Sequence, residues 1–132
     1  MGKKCIVKER FVKEYRIKEL DEKLTRQRIL TESRNMSRAL KFGINTPYLI
    51  FVNLITRKIY MQYIENSVTV KEVLKVIYSM PSINLYDKCK GNYYIVIERI
   101  IYDVGINLSK LHNADIIHGD LTTSNILVSI KY

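Results

Sequence analysis

The sequence of 132 residues predicts an α+β fold, in which a small antiparallel sheet and one long helix are followed by a mostly helical second half. Apolar residues recur at spacings near three, four and seven from Glu19 to Phe42, and this period is typical of an amphipathic helix. Gly43 follows directly and can end a helix in the left-handed conformation. Residues 48–54 and 59–64 are rich in β-branched and aromatic side chains and flank a polar turn, which predicts an antiparallel hairpin.

Two shorter elements are predicted beside this long helix and hairpin. Residues 5–8 form a short apolar segment that ends in Lys8, and we expect a strand there. Residues 70–78 carry apolar side chains on one helical face, which predicts a short helix. Thr69 precedes this helix and Glu72 stands three residues later, which is the spacing of a capping box.

The last third of the chain predicts a connection, a long helix, a loop and a strand. Residues 81–92 are polar and turn-like, and they predict a flexible connection. Residues 93–112 have helical apolar spacing, but their β-branched side chains lower the helix propensity, so burial has to hold this helix. After a polar loop, residues 126–130 predict a final strand.

Charge is distributed unevenly along the sequence. The formal net charge is +9, and residues 1–66 hold 15 Lys and Arg against 7 Asp and Glu, whereas residues 67–132 hold 7 against 6. A basic half suits an anionic partner such as nucleotide phosphates or RNA. A solvated basic helix explains the same charge without any partner.

The cysteines and the apolar segments of the sequence also indicate in which compartment of the cell the protein is expected. Cys5 and Cys89 are far apart and lack metal-ligand spacing, so reduced intracellular thiols are the default expectation. No apolar run approaches the roughly 20 residues of a membrane span. The first residues also lack the apolar region of a signal peptide. We therefore expect a protein of the cytoplasm and nucleus without a membrane-inserted segment.

The most specific motif is the loop before the final strand, where residues 118–125 read His-Gly-Asp-Leu-Thr-Thr-Ser-Asn. An Asp, four residues, an Asn and an apolar strand form the pattern of a catalytic loop in a kinase-type phosphotransferase. Asp120 is the predicted catalytic residue, which orients the attacking hydroxyl, and Asn125 is the predicted Mg²⁺ ligand. His118 is predicted to be buried and to hold the loop. A polar turn without function would favour similar residue types.

A nucleotide-binding pair is predicted between the first strand and the long helix. Lys8 stands at the end of the strand, where kinases keep the lysine that binds the nucleotide phosphates. Glu32 is its predicted partner, because this carboxylate lies on the apolar stripe of the helix and needs a cation. The alternative is a surface Lys8 and an intrahelical pair of Glu32 with Arg28.

The end of the hairpin has the position of a kinase hinge. Met61, Gln62 and Ile64 are predicted to meet adenine, with backbone groups of Gln62 and Ile64 making the hydrogen bonds, although an ordinary strand end explains the same residues. The element order is then that of a partial kinase N-lobe and hinge over residues 1–66. Residues 67–132 form the start of a C-lobe, within a single kinase-like domain overall.

Six segments of the sequence resemble one known family. These segments are Lys8–Arg16, Leu20-Asp21, Glu32–Arg34, Gly43–Pro47, Ile59–Ile64 and Ile117–Asn125. The similarity covers nearly the whole chain, and it is to the small atypical Ser/Thr kinase subunit of the KEOPS (EKC) complex, the PRPK family. The Lys-x-Tyr-Arg segment at 13–16 and the loop at 118–125 are its most specific parts.

The resemblance implies a minimal Ser/Thr-kinase-like fold that binds ATP and Mg²⁺. It also implies autophosphorylation, protein kinase activity and ATP hydrolysis in support of the complex. KEOPS makes threonylcarbamoyladenosine in tRNA. The implied partners are therefore its threonylcarbamoyl-transferase subunit, a small regulatory subunit and, through the complex, tRNA.

The sequence departs from ordinary kinases at several points. Gly119 replaces the usual Arg, and Thr122 stands where many kinases have a Lys near the γ-phosphate, which predicts a weak, constitutive phosphotransferase. Only seven residues precede Lys8, and no Asp-Phe-Gly segment follows the loop. We therefore expect a truncated kinase fold with little or no catalysis by this chain alone.

Three other classes share part of this pattern. Aminoglycoside and choline kinases also use a His-Gly-Asp…Asn loop before an apolar strand, and RIO-type kinases are nearer relatives. A catalytically inert, pseudokinase-like binding module would keep the fold without turning over ATP.

Overall fold

The computed structural model describes residues 4–79 and 92–129, and the chain divides into two compact units. The first unit contains residues 1–63 and 114–117, and the second contains residues 64–113 and 118–132. In chain order the elements are β1 (Cys5–Glu9), α1 (Lys18–Lys41), β2 (Leu49–Asn53), β3 (Lys58–Gln62), β4 (Ser67–Thr69), α2 (Val70–Ser79), α3 (Asn92–Asn113) and β5 (Leu127–Ser129).

The first unit is an antiparallel sheet in the order β1-β3-β2, with α1 packed against β2 and β3. The predicted hairpin of β2 and β3 is confirmed, with a register irregularity between Leu49 and Phe51. β1 pairs with β3 so that Lys8 lies opposite Ile59. Ile29 of α1 and Ile59 of β3 are fully buried, so the core of this unit lies between the helix and the sheet.

Gly43 ends α1 as predicted, and its φ is +68°. Its N–H donates to the carbonyl of Leu40, and the N–H of Ile44 donates to the carbonyl of Ala39, each at 3.0 Å. This pair of hydrogen bonds is a Schellman motif, which supplies donors to carbonyls that the helix itself leaves unpaired. Ile44 is buried directly after the turn, so the helix end is also fixed by packing.

The capping box of α2 is also confirmed. The hydroxyl oxygen of Thr69 accepts the N–H of Glu72 at 3.1 Å, and the Glu72 carboxylate accepts the N–H of Thr69 at 2.7 Å. The hydrogen bonds from the backbone N–H and the hydroxyl of Thr69 lower the pKa of the exposed Glu72 carboxyl and outweigh a slight loss of hydration. A charged carboxylate therefore stays at the positive end of the helix.

The second unit contains one strand that the sequence pattern did not predict. β4 pairs antiparallel with β5, with Val68 opposite Val128. A strand of three residues is too short to show the alternation of apolar and polar side chains that predicts a strand. Its pairing partner also lies about 60 residues later in the sequence, so no local hairpin pattern marks it.

The helix α3 begins and ends within one residue of its predicted bounds. The predicted connection over residues 81–92 and Cys89 lie outside the described residues, apart from Asn92, the first residue of α3. Within the described ranges, every helix is too short or too polar to cross a bilayer.

A buried carboxylate ties the start of α1 to the hairpin. Asp21 is only 1% exposed. Its carboxylate accepts a hydrogen bond from Arg57 at 2.8 Å and lies 3.4 Å from the guanidinium of Arg16. It also accepts the backbone N–H of Lys13 at 3.3 Å. Burial alone would raise the pKa of Asp21, but the hydrogen bonds and the charges of both arginines outweigh it and lower the pKa.

Replacing Asp21 by Asn is expected to lower the thermal midpoint of unfolding, because Arg57 and Arg16 then keep their charges without a counter-charge. The matched control is Asp103→Asn, which removes an exposed partner of Arg99 on α3 and is expected to cost about 0.5 kcal/mol or less.

The effect of Asp21→Asn is expected to depend on pH. Since the folded-state pKa is lower than the unfolded value of about 3.9, the stabilisation is complete above that value and is lost as the pH falls through the folded-state pKa. Thermal melts from pH 7 to pH 2 measure the gap between wild type and variant. A gap that stays constant down to pH 2 would contradict this assignment.

Candidate active site

The loop of residues 118–125 lies in the second unit and places its two predicted functional side chains in contact. The side-chain amide of Asn125 donates to the carboxylate of Asp120 at 2.9 Å and to its backbone carbonyl at 3.0 Å. The backbone N–H of Asn125 donates to Thr122 at 2.9 Å, which closes the turn. Both residues are exposed to solvent.

This arrangement leaves oxygen atoms free on both side chains. Asn125 uses its amide nitrogen for Asp120, and its amide oxygen accepts no hydrogen bond from the described residues. One carboxylate oxygen of Asp120 is the acceptor, and the other makes no such bond within the described part of the chain. A neutral amide oxygen and a carboxylate oxygen are donors that fit Mg²⁺.

The first turn of α2 holds this loop by its backbone. The N–H of Val70 donates to the carbonyl of Ile126 at 2.9 Å, and the N–H of Lys71 donates to the carbonyl of Thr123 at 3.0 Å. The first N–H groups of a helix have no acceptor inside the helix, so the loop supplies acceptors that α2 needs. The contacts between the loop and α2 are therefore made by backbone groups and do not use the side chains of Asp120 and Asn125.

Gly119 explains one departure from the ordinary kinase pattern. Its φ is +77°, in the left-handed region that glycine adopts without a steric penalty. An Arg at this position would be strained in the same backbone conformation.

The prediction that His118 is buried is wrong. His118 is exposed, as is every residue from 117 to 125. Its Nδ1 accepts the backbone N–H of Asp120 at 3.4 Å, which is a local contact within the loop.

The predicted pair of Lys8 and Glu32 is present in the first unit. Lys8 Nζ lies 2.7 Å from Glu32 Oε1, and the other carboxylate oxygen accepts a hydrogen bond from Arg10. Glu32 is therefore held by cations from the sheet side and not by Arg28 of its own helix. Burial would raise the pKa of Glu32, but the hydrogen bonds and charges of Lys8 and Arg10 outweigh it and lower the pKa.

Arg10 is a second cationic partner of Glu32 that the sequence did not lead us to expect. A signal was available, since Arg10 follows Lys8 by two residues and side chains two apart in an extended chain point to the same side. The sequence could therefore have predicted that Glu32 has two cationic partners, Lys8 and Arg10.

The predicted hinge residues lie at the end of β3 and just after it. The backbone N–H of Gln62 donates to the carbonyl of Tyr48 at 3.0 Å, and its side-chain oxygen accepts the N–H of Tyr48 at 3.3 Å. The carbonyl of Ile64 accepts the hydroxyl of Ser67 at 2.8 Å. Met61 is half-buried within the strand. The role of these residues in binding adenine stays a prediction.

A strand lysine paired with a helix glutamate, and an Asp and an Asn in a loop between a helix and a strand, define a protein with a kinase-type fold. The chain belongs to the lipopolysaccharide kinase (Kdo/WaaP) family, whose sequence model matches residues 6–132.

Several curated relatives match almost the whole chain. It is 40% identical to a KEOPS complex subunit Bud32 of Pyrococcus abyssi over 95% of the chain and 50% of that protein. It is 39% identical to an EKC/KEOPS complex subunit bud32 of Dictyostelium discoideum over 96% of the chain and 46% of that protein. These names confirm the resemblance to the small KEOPS kinase subunit.

A third relative is a probable bifunctional tRNA threonylcarbamoyladenosine biosynthesis protein of Methanosarcina barkeri. The identity is 39% over 97% of the chain and 19% of that protein. The chain thus spans about half the length of the two KEOPS relatives and about a fifth of the bifunctional one.

Replacing Gly119 by Ala is expected to lower the free energy of unfolding by about 1 kcal/mol, because alanine is strained at positive φ. An added Cβ would contact nothing within 4 Å, so the cost is conformational and not steric. The matched control is Gly105→Ala in the middle of α3, where the same change is expected to add up to about 1 kcal/mol. Urea unfolding measures both variants, and two changes of the same sign would contradict the assignment.

Proposed function

We propose that this chain supplies the nucleotide-binding pair and the catalytic loop of an atypical Ser/Thr kinase or ATPase, which acts within a KEOPS-type complex in tRNA threonylcarbamoyladenosine modification. The observation that carries the proposal is the contact between Asp120 and Asn125, in which each side chain keeps an oxygen atom without a hydrogen bond from the described residues. We assign residues 1–66 to a partial kinase N-lobe and hinge, and residues 67–132 to the start of a C-lobe.

Asp120 is proposed to orient the hydroxyl of a protein side chain or a water molecule for attack on the γ-phosphorus of ATP. The bond from that phosphorus to the bridging oxygen breaks, ADP leaves, and the proton of the attacking hydroxyl passes to the Asp120 carboxylate late in the reaction. Asn125 is proposed to hold Mg²⁺ through its amide oxygen, and Mg²⁺ supplies charge stabilisation on the phosphates when it is bound.

Lys8 is proposed to bind the phosphates of ATP, and Glu32 to hold its ammonium in position. The ion pair at 2.7 Å supports this assignment, because a lysine oriented by a half-buried carboxylate loses little freedom when it meets a phosphate. Backbone groups of Gln62 and Ile64 and the side chain of Met61 are proposed to surround adenine.

The names of the relatives support membership in a KEOPS-type complex. Two of them are KEOPS or EKC complex subunits, and another is named for tRNA threonylcarbamoyladenosine biosynthesis. We therefore propose that the chain binds a threonylcarbamoyl-transferase subunit and a small regulatory subunit and meets tRNA through the complex. Its localisation in the cytoplasm and nucleus is a separate proposal, which rests on the composition of the sequence.

Replacing Lys8 by Met is expected to weaken the binding of Mg²⁺ and ATP by roughly ten- to a hundredfold, since one charged contact to phosphate is lost. Glu32→Gln is expected to weaken binding less, because the lysine is freed and not removed. The control is Lys75→Met on the exposed side of α2, which should leave affinity unchanged. Isothermal titration calorimetry measures the three affinities, and equal binding by wild type and Lys8→Met would contradict the assignment.

Replacing Asp120 by Asn is expected to lower ATP hydrolysis by at least about a hundredfold, because the group that accepts the proton is lost. Hydrolysis is to be measured with the full chain and a threonylcarbamoyl-transferase subunit of a KEOPS complex. The control is Asp115→Asn, an exposed residue at φ +51°, a backbone conformation that Asn tolerates. Hydrolysis that survives in Asp120→Asn would exclude this residue as the catalytic base, and ATP binding without hydrolysis in the wild type would favour an inert binding module.

A further inference from the structure

Glu32 is shared by two cations, whereas a protein kinase site pairs its strand lysine with one helix glutamate. Lys8 Nζ lies 2.7 Å from one carboxylate oxygen, and the guanidinium of Arg10 donates to the other. Two positive charges and one negative charge leave one positive charge in excess, whereas a single ion pair would be neutral. The group of Lys8, Arg10 and Glu32 is therefore cationic.

Arg10 is held more firmly than Lys8. Its side chain is 29% exposed against 43% for Lys8, and its backbone N–H donates to the carbonyl of Arg57 at 3.0 Å. Within residues 4–79 and 92–129, Glu32 is the counter-charge that its guanidinium meets, and its buried Nε donates no hydrogen bond. Arg10 is thus fixed at its backbone and at its guanidinium.

Lys8 has the properties of the movable member of this group. An ammonium on a stem of four carbons turns easily, whereas a planar guanidinium binds a carboxylate in a fixed geometry. The ammonium of Lys8 uses one of its three donors for Glu32, and its side chain is the more exposed of the two cations. When Lys8 turns towards an anion, Arg10 still neutralises Glu32.

The second cation matters because Glu32 keeps its charge. Burial would raise the pKa of Glu32, but the hydrogen bonds and charges of Lys8 and Arg10 outweigh it and lower the pKa, so the group is a carboxylate at neutral pH. A half-buried carboxylate needs a cation beside it. If Lys8 were that cation alone, Glu32 and a phosphate would compete for the same ammonium. Arg10 removes this competition and leaves the charge of Lys8 for the phosphate.

We propose that Arg10 is a positioning residue for nucleotide binding, which holds Glu32 and thereby leaves the ammonium of Lys8 oriented and available for the phosphates of ATP. The inference rests on the proposed function, because it takes Lys8 as the phosphate-binding residue. In protein kinases the single ion pair between lysine and glutamate depends on the position of the glutamate helix, which is controlled. Here Arg10 is a second tie between that glutamate and the sheet side, so the position of α1 does not depend on Lys8 alone.

The test measures the affinity of the full chain for Mg²⁺ and ATP by isothermal titration calorimetry. Arg10→Gln is expected to bind ATP about tenfold more weakly than wild type, because Lys8 then has to neutralise Glu32. Arg10→Lys keeps the charge and is expected to bind within about threefold of wild type, since its ammonium can still neutralise the carboxylate. An Arg10→Lys affinity as low as that of Arg10→Gln would contradict the role of the charge.

The matched control is Arg16→Gln, which removes a cation from the other carboxylate on the sheet side of α1, Asp21. It is expected to lower the thermal midpoint of unfolding and to leave the affinity for ATP unchanged. Adenosine is the second ligand, because it lacks phosphates, and wild type and Arg10→Gln are expected to bind it equally. Equal losses for ATP and adenosine would show that Arg10 maintains only the shape of the site, and the proposal would be wrong.

A double variant tests whether Arg10 acts through Glu32. In Glu32→Gln the carboxylate that Arg10 neutralises is gone, so adding Arg10→Gln is expected to change the affinity for ATP by less than about threefold. The double variant leaves neither of these two positions with a half-buried charge, so it is expected to fold even if Arg10→Gln alone does not. A further tenfold loss would show that Arg10 contacts the phosphates itself, and the positioning role would be wrong.

Two outcomes separate this inference from the proposed function. If wild type binds ATP and a folded Arg10→Gln variant binds it equally well, the role of Arg10 is wrong and the proposed function stands. If a wild-type chain with a cooperative thermal melt binds no ATP, the proposed function is wrong, and the role of Arg10 is wrong with it.

Discussion

Two carboxylates on the sheet side of α1 set the arrangement of the first unit. Asp21 and Glu32 are eleven residues apart, close to three helical turns, so they lie in one row along the helix. A carboxylate that leaves water needs cations and hydrogen-bond donors around it. Arg57 in the hairpin turn supplies them at one end, and Lys8 and Arg10 supply them at the other. The helix is therefore tied to the sheet at two points, which fixes its direction as well as its distance.

In the second unit, backbone hydrogen bonds and strand pairing hold the loop of residues 118–125 in place. The first turn of α2 needs acceptors for its unpaired N–H groups, and the carbonyls of Thr123 and Ile126 supply them. β4 precedes this turn directly and pairs with β5, which follows the loop. The loop is thus held by its backbone on both sides. Among the described residues, the side chains of Asp120 and Asn125 make hydrogen bonds only within this loop, which leaves them exposed and in contact with each other.

The sequence predicted the features that depend on local chemistry. The period of three and four located the long helices to within about one residue, and Gly43 and the pair of Thr69 and Glu72 marked two helix ends, because such caps act over a few residues. The pair of Lys8 and Glu32 was also predicted, since a carboxylate among apolar positions demands a cation. The cluster around Asp21, the second cation Arg10 and the strand β4 were not predicted. The expected burial of His118 was wrong, because local pattern does not tell which chain covers a loop.

The order of residues by itself determined the kinase-type family and the long helices, since a motif such as Asp-x-x-x-x-Asn and a helix period are properties of neighbouring residues. The tertiary structure decided which charges neutralise one another. Asp21 meets Arg57 across 36 residues, and Glu32 meets Lys8 across 24, whereas the cations on the outward side of the same helix meet no carboxylate in the described chain. The pairing of charges depends on the distance between them in space and on their burial, and the sequence alone gives neither quantity.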